Sequence, residues 1–217
     1  MKNPGVFYQK MSRHFGITIK SNLNNNLQLF PIILASASPR RKQLLEMINL
    51  TFDVAPSKIH EDFNISLSPE EFVKFYAKEK SLDIASKNQN YLVIGADTIV
   101  VLDGKILGKP KDKKESFAML KSLSDRTHSV FTGVSLNHIN HQISRTFFEK
   151  TKVTFMNLSD STISNYIETY RPFDKAGSYG IQDWFSVNVK KINGCFYNVM
   201  GFPLSAFFKH YKHIVNK

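Results

Sequence analysis

Residues 91–110, YLVIGADTIVVLDGKILGKP, decide the fold class. An apolar run that continues to Leu102 is typical of buried strands, and the pair Asp103-Gly104 is a strong turn signal. A short returning strand then stops at Pro110, because proline cannot donate a ladder hydrogen bond. The segment therefore predicts two strand stretches followed by a hairpin.

Helices are predicted upstream of this hairpin. Residues 68–87, SPEEFVKFYAKEKSLDIASK, begin with Ser68 as the N-cap and carry Glu71 three positions later, which is a capping box. Residues 34–48, LASASPRRKQLLEMI, continue a short candidate for a buried strand and place Ser38 before a proline and apolar residues at helical spacing. Helices and strands therefore alternate before the hairpin.

The rest of the chain mixes both kinds of element. Helices are predicted at DKKESFAMLKSL (112–123), SDSTISNYIETY (159–170) and LSAFFKHYKHIV (204–215). Strands are predicted at LTFDVAPSKIHEDFN (50–64, running into a polar loop), SVFTGVSL (129–136), ISRTFFEKTKVTFMNL (143–158), SVNVKKI (186–192) and CFYNVM (195–200). Strand–helix alternation together with hairpins predicts an α/β fold, a mixed sheet flanked by helices.

Composition is that of an ordinary globular chain. Of 217 residues, 42% are hydrophobic and 22% are charged, which is enough for one sizeable domain or two lobes. A single cysteine, Cys195, excludes an internal disulfide and fits a cytoplasmic location. No run approaches the ~18 apolar residues of a membrane span, so no membrane partner is expected. Residues 1–30 are predicted to be a polar extension, either disordered or produced by a start codon placed too early, before a domain at 31–217.

The net charge of +11 raises the question of a polyanionic partner. The lysines are scattered, and there is no arginine-rich tract or basic helix interleaved with aromatic residues. This distribution argues against nucleic acid as the partner.

Positive charge is nevertheless concentrated at one helix start. Arg40, Arg41 and Lys42 occupy a first turn where free N–H groups and the helix dipole are already positive. An anion such as phosphate would explain them, with Ser36 and Ser38 as further ligands. The alternative is that exposed arginines are tolerated, at a cost of only ~0.3–1 kcal/mol.

Asp97 interrupts the apolar run LVIGADTIVVL. A buried carboxylate needs hydrogen bonds or a cation, so a catalytic or binding role and a turn-forming role remain equally open. Gly95 and Ala96 would allow a ligand to approach the backbone. Glu61 and Asp62 are candidates for a second carboxylate at a hard cation.

Other polar residues carry weaker signals. The glycine-punctuated loop FDKAGSYGIQ (173–182) is able to wrap a ligand or to serve as an ordinary connection. Neither a GxxxxGK[ST] loop nor a GxGxxG motif is present. His128, His138 and His141 lack the spacing of a zinc site and are expected on the surface.

Four segments, in this order, resemble the Maf family of nucleoside triphosphate pyrophosphatases. They are LASASPRRKQLL (34–45), GADTIVVLDGKILGKP (95–110), FTGV (131–134) and FDKAGSYGIQ (173–182). The resemblance extends through YNVMGFP and the helix after it. It implies an elongated, twisted mixed sheet, two lobes around a central cleft, and a homodimer.

The resemblance also implies chemistry, namely hydrolysis of a nucleoside triphosphate to the monophosphate and pyrophosphate with a divalent cation, Mg²⁺ or Mn²⁺. Asp97 matches the family's proton acceptor, which activates water for attack on the α-phosphorus. The positions that line the triphosphate site are matched by Ser36, Arg41, Lys80 and Lys109. Glu61 and Asp97 are implied for the metal, although His60 stands where the family has an aspartate before the glutamate.

Three positions resemble the branch that acts on dTTP and UTP, namely Arg40, Thr98 and Gln182. A pyrimidine offers carbonyl acceptors and one N–H, which suit an arginine and an amide, whereas the methylated-GTP branch carries tryptophan at the position of Arg40. Removal of noncanonical pyrimidine nucleotides is the expected role. Asp183 departs from the glycine that many members have after Gln182.

Two alternatives remain open. The first is that the protein catalyses the same hydrolysis on a modified purine nucleotide such as 7-methyl-GTP. The other is a basic protein that regulates cell division or binds nucleic acid.

Overall fold

The computed structural model describes residues 28–216, so nearly all of the predicted extension lies outside the described residues. The strands are β1 (Ile32–Leu34), β2 (Asp53–Val54), β3 (Leu92–Leu102), β4 (Lys105–Leu107), β5 (Thr127–His138), β6 (Ile143–Phe155) and β7 (Val189–Asn193). The α-helices are α1 (Pro39–Met47), α2 (Pro69–Ala85), α3 (Lys113–Leu123), α4 (Asp160–Tyr170), α5 (Phe196–Val199) and α6 (Leu204–Val215). Within the described part of the chain, no helix is long and apolar enough to cross a membrane.

The strands form one seven-stranded mixed sheet in the order β2-β1-β3-β5-β6-β7, with β4 added to β3. The pairs β2–β1 and β1–β3 are parallel, and the remaining pairs are antiparallel. This arrangement confirms the predicted mixed sheet. The predicted turn is present as well, because Asp103 and Gly104 both have positive φ.

A gap in the sheet lies along one edge of β3. Strand β5 covers the other edge, while β1 pairs with residues 92–94 and β4 pairs with residues 100–102. Among residues 28–216, no strand therefore covers residues 95–99 on the β1/β4 edge. In the described part of the chain, the centre of β3 is therefore open from the side at this gap.

One face of the sheet is covered by α2 at very short range. A Cβ atom on Gly95 would collide with the carbonyl oxygen of Ala77, and one on Gly133 would collide with that of Val73. The backbone of α2 thus rests directly on β3 and β5. The Ser68–Glu71 capping box holds the start of this helix as predicted.

The opposite face carries two apolar clusters, one on each side of the gap. The first joins α1 and α6 to β1 and the beginning of β3, and includes Leu34, Leu44, Ile94 and Phe207. The second joins α3 and α4 to the end of β3 and to β7, and includes Leu102, Leu120, Ile163 and Phe185. These clusters are the cores of the two predicted lobes.

The two strand stretches predicted within residues 91–102 are one continuous strand, β3, which pairs with β5 without a break. Two further predictions are wrong. The segment CFYNVM contains the short helix α5 instead of a strand, because buried Asn198 donates hydrogen bonds to the Val130 carbonyl (3.1 Å) and the Thr151 hydroxyl (3.0 Å). His128 and His138 are buried instead of exposed, because β5 is an interior strand. The His128 ring packs against Phe155, and burial lowers its pKa to about 4.

Candidate active site

A cavity of about 520 Å³ opens at the gap in the edge of β3. Its walls come from the start of α1, the loop before α2, the centre of β3, the turn after β4 and the loop after α4. Every site residue implied by the resemblance lines this cavity: Ser36, Arg40, Arg41, Glu61, Lys80, Asp97, Thr98, Lys109 and Gln182. The other candidate carboxylate, Asp62, is not in the cavity lining and accepts hydrogen bonds from Asn64 instead. The fold therefore brings together residues that are up to about 150 positions apart in the sequence.

Asp97 lies at the centre of the gap. The β3–β5 ladder runs through it without interruption, with Asp97 opposite Gly133, so the turn-forming alternative is wrong. Its side chain is only 6% exposed, and Lys80 Nζ lies 2.8 Å from Oδ1. The second oxygen, Oδ2, is buried and has no hydrogen-bond partner within residues 28–216. Asp97 is thus a buried carboxylate with one oxygen free for another group.

The position of α2 explains how Lys80 reaches Asp97. The helix approaches β3 at Gly95, where Ala77 takes the space that a side chain would need. Lys80 follows one turn later, because helix positions three residues apart share a face. The expectation that Gly95 admits a ligand is therefore wrong, since the helix occupies that space.

Lys80 also contacts Glu61, so two carboxylates share one ammonium group. Burial raises the pKa of Asp97, and the negative charge of Glu61 adds to that effect. Burial acts in the same direction on Glu61, but the charge and hydrogen bond of Lys80 outweigh it and hold the pKa of Glu61 at about 2. The cluster therefore carries an excess of negative charge once Asp97 is ionised.

Arg41 reaches the cavity from the other face of β3. Its guanidinium donates to the Gly201 carbonyl, the Ser36 hydroxyl and the Thr98 hydroxyl, each at 3.0 Å. None of these acceptors is a carboxylate, and burial lowers the pKa of Arg41 from its usual value. A cation held rigidly by neutral groups is suited to binding an anion.

Thr98 supports this arginine. Its hydroxyl accepts from Arg41 and also lies 3.0 Å from the Thr132 hydroxyl and 3.3 Å from the Gly201 carbonyl. Neighbouring residues of a strand point to opposite faces of the sheet. Asp97 therefore contacts Lys80 on one face of β3, whereas Thr98 contacts Arg41 on the other face.

Gly201 is a site residue that sequence reasoning missed. Its φ of 104° is a conformation that favours glycine, and its carbonyl accepts from both Arg41 and Thr98. The glycine and proline of GFP at 201–203 are a local signal for a turn, but nothing in the sequence indicates that this turn faces Arg41.

Residues 31–214 match the family model described as "Maf-like protein". The chain belongs to this family. Among its relatives, "dTTP/UTP pyrophosphatase" from Bacillus pumilus is 49% identical over 174 residues, which is 80% of this chain and 91% of that protein. The protein of the same name from Halalkalibacterium halodurans is 49% identical over 175 residues, 81% of this chain and 91% of the other.

Among solved structures, the Ham1 protein of Staphylococcus aureus is similar with a TM-score of 0.42 and 17% identity, over 58% of this chain and 71% of that one.

The mouth of the Maf-like cavity holds two exposed polar residues. Lys109 and Gln182 make no hydrogen bond or ion pair within the described residues, so both are available to a ligand. The turn that carries Lys109 is tied to the facing loop, because Gly177 N–H donates to the Gly108 carbonyl at 3.0 Å.

The two residues that depart from the family pattern, His60 and Asp183, lie at or next to the cavity. His60 is exposed and lines the cavity beside Glu61. Asp183 accepts hydrogen bonds from the Tyr166 hydroxyl and the Phe185 N–H, both at 3.0 Å. A glycine could make neither side-chain bond, so the loop after Gln182 is fixed by Asp183.

The residues present fit a divalent cation that also takes ligands from a substrate. Asp97 Oδ2 is buried without a partner, and Glu61 lies beside the same ammonium group. Within residues 28–216, no group of three or more His, Cys, Asp or Glu side chains is placed to hold a metal. Magnesium often uses only one or two carboxylates together with substrate phosphates.

Proposed function

We propose that this Maf-like protein is a nucleoside triphosphate pyrophosphatase that hydrolyses dTTP and UTP to the monophosphate and pyrophosphate. The observation that carries the proposal is the placement of Asp97, whose free buried oxygen shares one cavity with the rigidly held cation Arg41. Relatives at 49% identity over most of their length bear the name of this activity.

Asp97 would accept a proton from the water that attacks the α-phosphorus. As the new phosphorus–oxygen bond forms, the bond from the α-phosphorus to the bridging oxygen breaks, and pyrophosphate leaves with the bonding electrons. A raised pKa suits this role, because a base is most effective when its pKa lies nearer the working pH.

Cationic groups would bind the triphosphate. Arg41 is fixed before substrate arrives, whereas Lys109 is free at the mouth, and Ser36 and Lys80 complete the polar wall. Preorganised donors stabilise charge that develops on phosphate oxygens in the transition state.

Asp97 and Glu61 would hold the divalent cation, Mg²⁺ or Mn²⁺. When bound, such a cation neutralises negative charge on phosphate oxygens. Base selection is assigned to Arg40, Thr98 and Gln182, and for Thr98 the contact with Arg41 indicates an indirect part. The homodimer, the cytoplasmic location and the role in removing noncanonical pyrimidine nucleotides stay predictions.

The test is pyrophosphate release from a panel of pyrimidine and purine triphosphates, with 7-methyl-GTP and modified pyrimidine nucleotides included. We expect release from dTTP and UTP that requires a divalent cation. Asp97→Asn should lower kcat by about 10²–10⁴-fold, the usual contribution of a general base. The proposal is wrong if neither nucleotide releases pyrophosphate, or if Asp97→Asn retains the rate of the wild type.

A further inference from the structure

Among the described residues, Asp174 is the only one that hydrogen-bonds to or pairs with the Arg40 side chain. Arg40 Nη1 donates to Asp174 Oδ2 at 2.7 Å, and Arg40 Nη2 donates to the Asp174 carbonyl at 3.4 Å. The two residues are 134 positions apart in the sequence, and both line the cavity. The other carboxylate oxygen, Oδ1, accepts from Lys175 Nζ at 2.7 Å.

The loop that presents Asp174 is held at several points just after it. The Gly177 N–H bonds to Gly108, the Tyr179 hydroxyl lies 2.8 Å from His128 Nε2, and Gly180 N–H donates to Tyr166 at 3.1 Å. Gly177 and Ser178 both have positive φ, which costs backbone energy at the non-glycine position. The loop is therefore a rigid platform for the carboxylate.

Electrostatics favours this contact. Helix α1 has no acidic residue in its first turn, so Arg40 lies on a positive helix end with no local counter-charge. Asp174, from the loop after α4, supplies that charge. Burial acts to raise the pKa of Asp174, but the hydrogen bonds from Lys175 and Arg40 lower it, so the carboxylate stays ionised near neutral pH.

We propose that Asp174 is the positioning residue that fixes Arg40 for base selection, with Arg40 as the residue that touches the base. Without the carboxylate, the arginine keeps its charge but loses its fixed direction. It would then bind any triphosphate through charge and discriminate bases poorly. This inference rests on the proposed function, because it assigns a role within the same site.

The test compares UTP with CTP, which share sugar and phosphates and differ only in the base. Because the Asp174 side chain is 55% exposed, we expect Asp174→Asn to lower kcat/KM for UTP by only about two- to fivefold, the usual contribution of an exposed ion pair. The change should appear mainly in KM, and the preference for UTP over CTP should shrink. Asp174→Glu, which retains a carboxylate, should recover part of the preference.

A double-mutant cycle separates positioning from a general structural effect. If Asp174 acts through Arg40, Asp174→Asn should cause no further loss of preference in an Arg40→Ala background. Glu168→Gln is the matched control, because Glu168 also pairs with a lysine (2.6 Å from Lys113 Nζ) but lies outside the cavity lining. It should behave as the wild type.

Two outcomes overturn the inference: an unchanged UTP/CTP preference in Asp174→Asn, or independent effects of the Asp174 and Arg40 substitutions. Both presuppose a wild type that releases pyrophosphate from UTP. A wild type without that activity would overturn the proposed function instead, so the two failures are distinguishable.

Discussion

At the residue scale, the main feature of the site is a carboxylate that is buried away from water. Main chain included, Asp97 is 4% exposed, and only one of its carboxylate oxygens has a hydrogen-bond partner in the described structure. Burial disfavours the ionised form, so the fold raises the pKa of Asp97 although Lys80 is adjacent. Functional residues often carry such a cost to stability.

We therefore expect Asp97→Asn, besides its lower kcat, to be more stable than the wild type at pH 7.5. Because the pKa of Asp97 is higher in the folded state than in the unfolded state, folding favours the protonated form. The stability that the protonated form contributes is lost as the pH rises through the folded-state pKa. The amide avoids that loss because it never ionises. A change of ~1 kcal/mol shifts the Tm of a chain of this size by roughly 2–4 °C, which calorimetry resolves.

The pH dependence provides the control for that prediction. The stability difference should shrink as pH falls towards about 4, the ordinary pKa of an aspartate, because the wild type then becomes protonated. A variant that is less stable than the wild type at pH 7.5 would show that the Lys80 contact outweighs the cost of burial.

At the element scale, α2 is the part that positions Lys80, and two glycines allow its close approach. Gly95 and Gly133 lie under the backbone of α2, and Ser81 Oγ donates to the Val93 carbonyl at 2.9 Å. The capping box at Ser68 was evident in the sequence, but the requirement for glycine was not. That requirement exists only because a helix from elsewhere in the chain rests on these positions.

Gly95→Ala should force α2 away from β3. The added Cβ meets backbone atoms, which cannot move aside as a flexible side chain would, so we expect a loss of about 3 kcal/mol in the free energy of unfolding, measured in urea. Activity should also fall, because Lys80 would move away from Asp97.

Gly104→Ala is the matched control. Gly104 has a φ of 77° but no atom near an added Cβ, so its loss should be only about 1 kcal/mol, with activity retained. Equal losses in the two variants would contradict the close-approach argument.

At the scale of the whole molecule, the cavity lies between two separate apolar cores. Arg41 comes from the lobe that contains α1, whereas Asp174 and Lys109 come from segments beside the other lobe. A ligand in the cavity would contact both lobes and should stabilise them together.

A dTTP analogue with a non-hydrolysable α,β-methylene bridge, added with Mg²⁺, should raise the Tm of the wild type. At a concentration ~100 times Kd the expected stabilisation is about 2.7 kcal/mol. Arg41→Ala should reduce this effect strongly, because it removes the fixed cation. Lys113→Gln, at an exposed ion pair outside the cavity lining, should respond as the wild type. An equal response in Arg41→Ala would show that Arg41 does not contact the ligand.

The predictions from sequence fared best where the deciding forces are local. Caps at Ser38 and Ser68 were predicted and are present, since capping depends on residues within one turn. Burial of His128 and the helix at 196–199 were missed. Both depend on neighbours that are distant in the sequence, such as Tyr179 for His128 and Val130 for Asn198.

The amino-acid sequence by itself determined the class of the fold and the family, and it indicated nine of the residues that line the cavity, although not Gly201. Hydrophobic periodicity, caps and short motifs carry that information, and all of them act over a few residues. Only the tertiary structure decided that β1 and β4 leave the centre of β3 uncovered, that Asp97 and Thr98 serve opposite faces of one edge, and that Arg40 meets Asp174. These features depend on pairing between distant segments, where packing and charge in three dimensions override local preference.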